Sequence, residues 1–213
     1  MSLSDAPRDD VTDVRARSAG PAPQASAPSE PITLEPLSNS PAPRPAGAVR
    51  PNARFMRAHP AHWIAFGFGS GLSPIAPGTA GTLWAWLAWL VLTQWLTTPA
   101  AQAWLIIAGL AAAWWASTVT ARNLRIADPS AIVVDEIIAF WIVLWLVLPA
   151  GLWTQLVAFV LFRFFDAVKR GPVGWADRLF HGATGWRGGF GIVWDDLVAA
   201  FCTLMVMAAW RAW

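Results

Sequence analysis

IVVDEIIAFWIVLWLVLP, residues 132–149, sets two adjacent carboxylates, Asp135 and Glu136, into an apolar run almost long enough to cross a bilayer. A second stretch, GIVWDDLVAAFCTLMVMAAW (191–210), repeats the pattern with Asp195 and Asp196. A carboxylate at the edge of a bilayer-length helix is costly unless a cation or an ion pair compensates its charge. The two stretches therefore predict helices that present acids at similar ends to a shared site.

The composition places the chain among membrane proteins. Of its 213 residues, 56% are hydrophobic and 13% charged, whereas about a quarter of the residues of a soluble domain carry charge. Helices are expected because a spanning backbone must satisfy its own hydrogen bonds. We expect an all-α integral membrane protein whose membrane-embedded domain covers residues 53–213, with about five apolar helices over the runs 82–96, 101–120, 132–149, 152–168 and 190–210.

The region 1–52 differs from the rest of the chain. It is rich in Pro, Ala and Ser and lacks an apolar period, so it cannot bury enough surface to offset the entropy of ordering. We expect a disordered tail. The net charge of +2 is scattered over the chain rather than gathered in a basic stripe, so we expect no binding to nucleic acid.

Loop charges predict how the domain sits in the bilayer. Arg122, Arg125 and Lys169 lie between apolar runs, whereas the connections 97–100 and 150–151 carry no charge. The positive-inside tendency then puts the basic loops, the acids and a Gly-rich segment on the cytoplasmic face. A one-sided site suits chemistry on a lipid head group. The alternative is a cation channel or transporter with an acid-lined pathway, where binding groups more often lie near the midplane.

Six carboxylates are candidates for a metal site. Several carboxylates in one place repel one another unless a hard cation neutralises them, and Mg²⁺ prefers such oxygen ligands. The alternative is a pair of helix ends with solvated acids near their dipoles. The candidate ligands are Asp128, Asp135, Glu136, Asp166, Asp195 and Asp196.

The segment GFGSGLSPIAPGTAGT, residues 67–82, is a candidate phosphate-binding loop. Glycines permit backbone conformations that turn successive N–H groups towards an anion, and the start of a following helix adds a positive dipole. Ser70, Gly71 and Thr79 are its candidate substrate-binding residues. The alternative is a loop and helix cap in which the hydroxyls bond to local backbone.

FRFFDAVK, residues 162–169, spaces Arg163, Asp166 and Lys169 three apart, which puts them on one face of a helix. Arg and Lys can clamp phosphate oxygens, but an Arg–Asp–Lys ion-pair ladder fits the spacing as well. His181 is a candidate for protonating a leaving group, with a structural role as the alternative.

Four segments in order resemble the phosphatidylglycerophosphatase A family of bacterial membrane lipid phosphatases: HPAHWIAFGFGSGLSPIAPGTAGT, DPSAIVVDE, FRFFDAVK and GIVWDDLVA. The resemblance implies Mg²⁺-dependent removal of the terminal phosphate of phosphatidylglycerophosphate, on the cytoplasmic face of the inner membrane, by a multi-pass protein. Against the family pattern, GATGWRGGFG (182–191) looks like a lengthened loop. The catalytic candidates are Asp135, Glu136, Asp166, His181, Asp195 and Asp196, and the oligomeric state is left open.

Overall fold

The computed structural model describes residues 47–169 and 171–212, which lie within one compact unit, Pro43–Trp213. Throughout this part of the chain the regular structure is helical and no strand occurs, so the all-α prediction is confirmed there. The predicted tail, 1–52, lies outside the described residues except for 47–52 and stays a prediction. The helices are α1 (Ala53–Arg57), α2 (Pro60–Ala65), a 3₁₀ segment (Gly67–Leu72), α3 (Pro77–Leu92), α4 (Pro99–Leu124), α5 (Val134–Val147), α6 (Leu152–Val168), α7 (Pro172–Phe180) and α8 (Gly185–Ala212).

Helix α8 lies at the centre of the fold and packs against α4, α5, α6 and α7. Small buried residues on α8, among them Gly189, Ala199 and Ala200, allow the neighbouring backbones to approach closely. A Cβ atom built on Gly189 would lie only 2.0 Å from Thr118 Oγ1 of α4. The close α4–α8 contact therefore depends on a glycine at this position.

The expectation of about five spanning helices is corrected by the helix lengths. Each predicted run does contain a helix, but only α4 and α8, among the described residues, are long and apolar enough to cross a membrane. Helices α3, α5 and α6 have 16, 14 and 17 residues. At 1.5 Å per residue they are about 21–26 Å long, short of the ~30 Å hydrocarbon core.

The two acidic pairs occupy different places on their helices. Helix α5 begins at Val134, so Asp135 and Glu136 stand in its first turn, as predicted. Helix α8 begins at Gly185, so Asp195 lies about 15 Å along its axis. The prediction of two similar helix ends, and that of a loop over 182–191, are therefore wrong for α8. Its glycines pack closely against neighbouring helices, with the Cβ position of Gly191 only 2.4 Å from Phe180 Cβ of α7.

Buried His62 ties the segment before α3 to the end of α4. Its Nδ1 lies 2.8 Å from Phe55 O, its Nε2 lies 2.9 Å from Asn123 Nδ2, and its ring stacks on Phe55. Because Nδ1 faces a carbonyl oxygen, this nitrogen carries the proton, and Nε2 accepts from the amide. Burial lowers the pKa of His62, opposed by the bond to Phe55 O and reinforced by His59.

This lowered pKa predicts a loss of stability in acid. The unfolded chain takes up the His62 proton near the ordinary pKa of 6.5, whereas the folded chain takes it up only at lower pH. The free energy of unfolding should therefore fall between about pH 7.5 and about pH 5.5, and fall less in His62→Gln. Thermal unfolding of both proteins at the two pH values measures this, and equal losses would contradict it.

Candidate active site

Eight predicted site residues line a single cavity of about 290 Å³ between the ends of α3, α5 and α6 and the second to fourth turns of α8. Two of them lie on α5, two on α6 and two on α8. One more is the C-cap of α6, and one lies in the loop before α5. The structure thus brings together groups as far apart in the chain as residues 128 and 196. They are Asp128, Asp135, Glu136, Arg163, Asp166, Lys169, Asp195 and Asp196.

Arg163 is held between two carboxylates on one side of the cavity. Its Nη1 lies 3.1 Å from Glu136 Oε1 and also donates to Asp166 Oδ2, three residues along the same helix. The buried Thr82 hydroxyl donates to Gly78 O at 2.9 Å and lies 3.4 Å from Glu136 Oε2. The guanidinium therefore joins α5 and α6, and Thr82 adds a contact from α3.

On the other side of the cavity, the positive charge of Lys169 compensates a second group of acids. This residue caps α6 in a left-handed conformation with φ of 43°, and its Nζ lies 2.6 Å from Asp195 Oδ2 and 3.0 Å from Asp177 Oδ1. Burial opposes the charge on Lys169, but Asp195 and Asp177 outweigh it and raise the pKa of the ammonium. The predicted Arg–Asp–Lys ladder is therefore correct for its first pair only, since Lys169 turns away from α6 to reach α7 and α8.

Among the residues that the structure describes, three buried carboxylate oxygens have no hydrogen-bond partner: Asp135 Oδ1, Asp195 Oδ1 and Asp196 Oδ2. A buried polar atom without a partner is costly. Oxygen atoms of this kind are the ligands that Mg²⁺ prefers, so the donor chemistry of the cavity fits a divalent cation. Over the described ranges, no three acidic or His side chains are already arranged as a metal site.

The other predicted site residues lie outside this cavity. Ser70 donates to Gly67 O at 2.9 Å, which is the local cap considered as its alternative. A Cβ on Gly71 would lie 2.1 Å from Ala131 O, so this glycine permits a close backbone contact. Thr79 is half-buried in the first turn of α3 and does not line the cavity.

His181 lines a neighbouring cavity of about 340 Å³, which also contains Asp177. This second cavity shares Asp128, Lys169, Ile192 and Asp195 with the acidic one. His181 is therefore exposed and lies beside the acidic cavity, not in it.

The start of α3 and Ser130 also contribute to the acidic cavity. The start of α3 belongs to the candidate phosphate-binding segment 67–82, although its residues at the cavity were not singled out, and Ser130 was not predicted. Ala76, Pro77, Gly78 and Ser130 all line it. A Cβ on Gly78 would lie 2.2 Å from Glu136 Oε1 and 2.8 Å from Arg163 Nη2, so a side chain here would displace the ends of this ion pair. Its place in the Gly-rich segment at a helix start was the available signal, whereas nothing in the sequence marked Ser130.

Fold and site define a helical protein in which one cavity gathers carboxylates around two cations, an arrangement suited to a phosphate-handling enzyme. The family model for phosphatidylglycerophosphatase A matches residues 63–211, and the chain belongs to this family. It is therefore a phosphatase enzyme. No solved structure shows significant similarity to the chain.

The chain is similar to curated proteins from three bacteria, two of which carry the family's name. The chain is 38% identical over 150 residues to phosphatidylglycerophosphatase A of Escherichia coli, covering 69% of this chain and 81% of the relative. It is 34% identical to the Haemophilus influenzae protein of the same name, covering 73% and 91%. It is also 38% identical to a proposed phosphatidylinositol-3-phosphatase of Bacteroides thetaiotaomicron, covering 70% and 91%.

Substituting Gly78 tests the ion pair at the cavity wall. In Gly78→Ala the new methyl group must displace Glu136 or Arg163, and misplacement of a site group by about 1 Å can lower turnover by up to a hundredfold. We expect phosphate release to fall by about tenfold or more. The thermal midpoint should change little, because Ala favours a helix.

Gly151→Ala is the matched control. Gly151 has φ of −63°, and no atom lies within 4 Å of its Cβ position, so activity should be retained. Unchanged turnover in Gly78→Ala would argue against a functional role for this pair.

Proposed function

We propose that the chain hydrolyses the terminal phosphate of phosphatidylglycerophosphate to give phosphatidylglycerol and inorganic phosphate, a step in phospholipid biosynthesis. One observation carries the proposal: a single cavity gathers six carboxylates and two cations in a chain of this phosphatase family. The substrate is taken from the names of the Escherichia coli and Haemophilus influenzae relatives.

A Mg²⁺ ion is the proposed cofactor. The carboxylates of α5 and α8 would hold it, with Asp128 and Asp166 as further ligands or as partners of those ligands. The orphaned oxygens of Asp135, Asp195 and Asp196 support this arrangement. When bound, the ion would polarise the phosphoryl oxygens and lower the pKa of water.

The cations and the start of α3 would orient the phosphate. Arg163 and Lys169 offer N–H donors at opposite sides of the cavity, and a guanidinium can bind two phosphate oxygens at once. The first turn of α3 adds backbone N–H groups, because its N-cap Ala76 provides no side-chain hydrogen bond. A phosphate entering here would exchange part of each ion pair for bonds to its own oxygens.

Proton transfer requires one carboxylate to accept and another group to donate. A buried acid such as Asp135 would take a proton from the attacking water as general base. His181, in the adjoining cavity beside Asp128, is the proposed donor to the departing glycerol oxygen. Direct attack by water and a transient aspartyl phosphate are both compatible with this set of residues.

We place the protein in the bacterial cytoplasmic membrane as a multi-pass protein with its site on the cytoplasmic face. The two long apolar helices support membrane association. Arg122 and Arg125 at the end of α4 support the orientation, because basic loops favour the cytoplasm. The alternative of a channel or transporter does not account for membership of a phosphatase family.

Neutralising single acids tests the metal proposal. Asp195→Asn and Asp135→Asn should each lower kcat by about two orders of magnitude or more, because each removes a charged oxygen ligand. Asp195→Asn should also raise the Mg²⁺ concentration needed for half-maximal activity. Released phosphate is measured across a Mg²⁺ titration after chelation.

Asp177→Asn is the matched control, because Asp177 lies outside the acidic cavity; its effect should be smaller. Full activity of the chelated wild-type protein would refute the metal proposal.

A substrate panel tests the head group. Wild-type protein in mixed micelles should release phosphate from phosphatidylglycerophosphate faster than from phosphatidic acid or phosphatidylinositol 3-phosphate, with acyl chains matched. The third lipid is included because of the name of the Bacteroides relative. Preference for either comparison lipid would refute the substrate while leaving the phosphatase assignment in place.

A further inference from the structure

A third cavity, of about 280 Å³, lies between the end of α4 and the start of α8. Arg122 and Arg125 line it from α4 and its C-cap, and Gly185, Gly188 and Gly189 line it from α8. No acidic residue is among the lining residues. This cavity, the basic cavity, is therefore opposite in charge to the acidic one.

Within the part of the chain that the structure describes, the two arginines differ from the cations of the acidic site in having no carboxylate partner. Over residues 47–169 and 171–212, neither guanidinium forms a salt bridge within 4.0 Å, whereas Arg163 and Lys169 each contact two acids. Two uncompensated positive charges at one small cavity attract an anion and raise its local concentration.

The backbone around the basic cavity places the Arg122 guanidinium close to its wall. A Cβ on Gly185 would lie 2.9 Å from Arg122 Nη2, so the absence of a side chain there lets Arg122 lie against the first turn of α8. Arg125 caps α4 with φ of 58°, a left-handed conformation that is strained for a residue other than glycine. The neighbouring Val49 N–H donates to Leu124 O at 3.0 Å and packs the chain against this end of α4.

The basic cavity continues into the acidic one through the cavity of His181. It shares Ala127, Ala183 and Gly188 with the His181 cavity, which in turn shares Asp195 and Lys169 with the acidic site. Successive turns of α8 form one wall, and the rise from Gly188 to Asp195 is about 10 Å. A group at the arginines thus lies about two helical turns from the acids.

We propose that the basic cavity is a second, phosphate-binding site, formed by Arg122 and Arg125 at the outer end of a groove that leads to the acidic cavity. Its ligand is a phosphate group, because two guanidiniums can each present parallel N–H donors to phosphate oxygens. The group is either inorganic phosphate leaving the site or the phosphate of an arriving head group. The two possible sources of this phosphate are taken from the proposed function, whereas phosphate binding at the arginines does not depend on it.

Direct binding is the first test. The full-length protein in detergent micelles, treated with chelator so that the acidic cavity repels anions, is titrated with inorganic phosphate by calorimetry. We expect one phosphate per chain, bound more weakly as the salt concentration rises. Arg122→Gln and Arg125→Gln should each lower the affinity by about tenfold or more, and Arg→Lys at either position should restore part of it.

Arg187→Gln is the matched control, because Arg187 is exposed in the first turn of α8 and does not line the cavity. Its phosphate affinity should equal that of the wild type. Wild-type protein that binds no phosphate, or a double Arg122→Gln/Arg125→Gln variant that binds it as tightly, would overturn the proposal.

Steady-state kinetics then identify the source of the phosphate. If the site receives the product, the Gln variants raise the inhibition constant of inorganic phosphate and leave KM for the lipid unchanged. If the site receives the head group, the Gln variants raise KM for phosphatidylglycerophosphate and leave the inhibition constant of inorganic phosphate unchanged. A wild-type protein that binds phosphate but does not hydrolyse this lipid would contradict the proposed function alone.

Discussion

Compensation of buried carboxylates by two cations is the interaction on which the rest of the site depends. Arg163 joins Glu136 and Asp166, and Lys169 joins Asp177 and Asp195. Removing the partner of a buried carboxylate, here Asp166 or Asp195, leaves an uncompensated charge and typically costs several kcal/mol, more than the net contribution of the pair itself. The same contacts connect α5, α6, α7 and α8, so residues of the proposed site, together with Asp177, also hold these helices together.

The central helix α8 links this electrostatic centre to the rest of the fold. It is apolar almost throughout, yet it carries the buried Asp195 and Asp196 well inside its length. Its glycines near the N-terminus allow it to pack against Thr118 of α4 and against Arg122. As a result, successive turns of α8 line the basic cavity, the His181 cavity and the acidic cavity. The cavities at the two ends of this series carry opposite charges.

Much of the architecture follows from local pattern. The apolar runs predicted the positions of five helices because their composition permits little else, and the acids of α5 fell at a helix start as expected. The short lengths of α5 and α6 also follow from their runs, since α5 lies within 132–149 and α6 covers 152–168, whereas α3 begins five residues before its run at Pro77. The start of α8 was missed because glycines indicate loops unless close packing retains them in a helix.

The sequence alone showed carboxylates within apolar runs, and such charges need compensation wherever the helices finally lie. Its four motifs in order also indicated a phosphatase family. Which of these residues contact one another was decided only by the tertiary structure. The three-residue spacing on α6 correctly paired Arg163 with Asp166 but gave no sign that Lys169 turns towards α7 and α8. Gly78 beside Glu136, and Arg122 beside Gly185, are contacts between residues more than 50 positions apart. Such contacts depend on how helices pack, which local spacing does not specify.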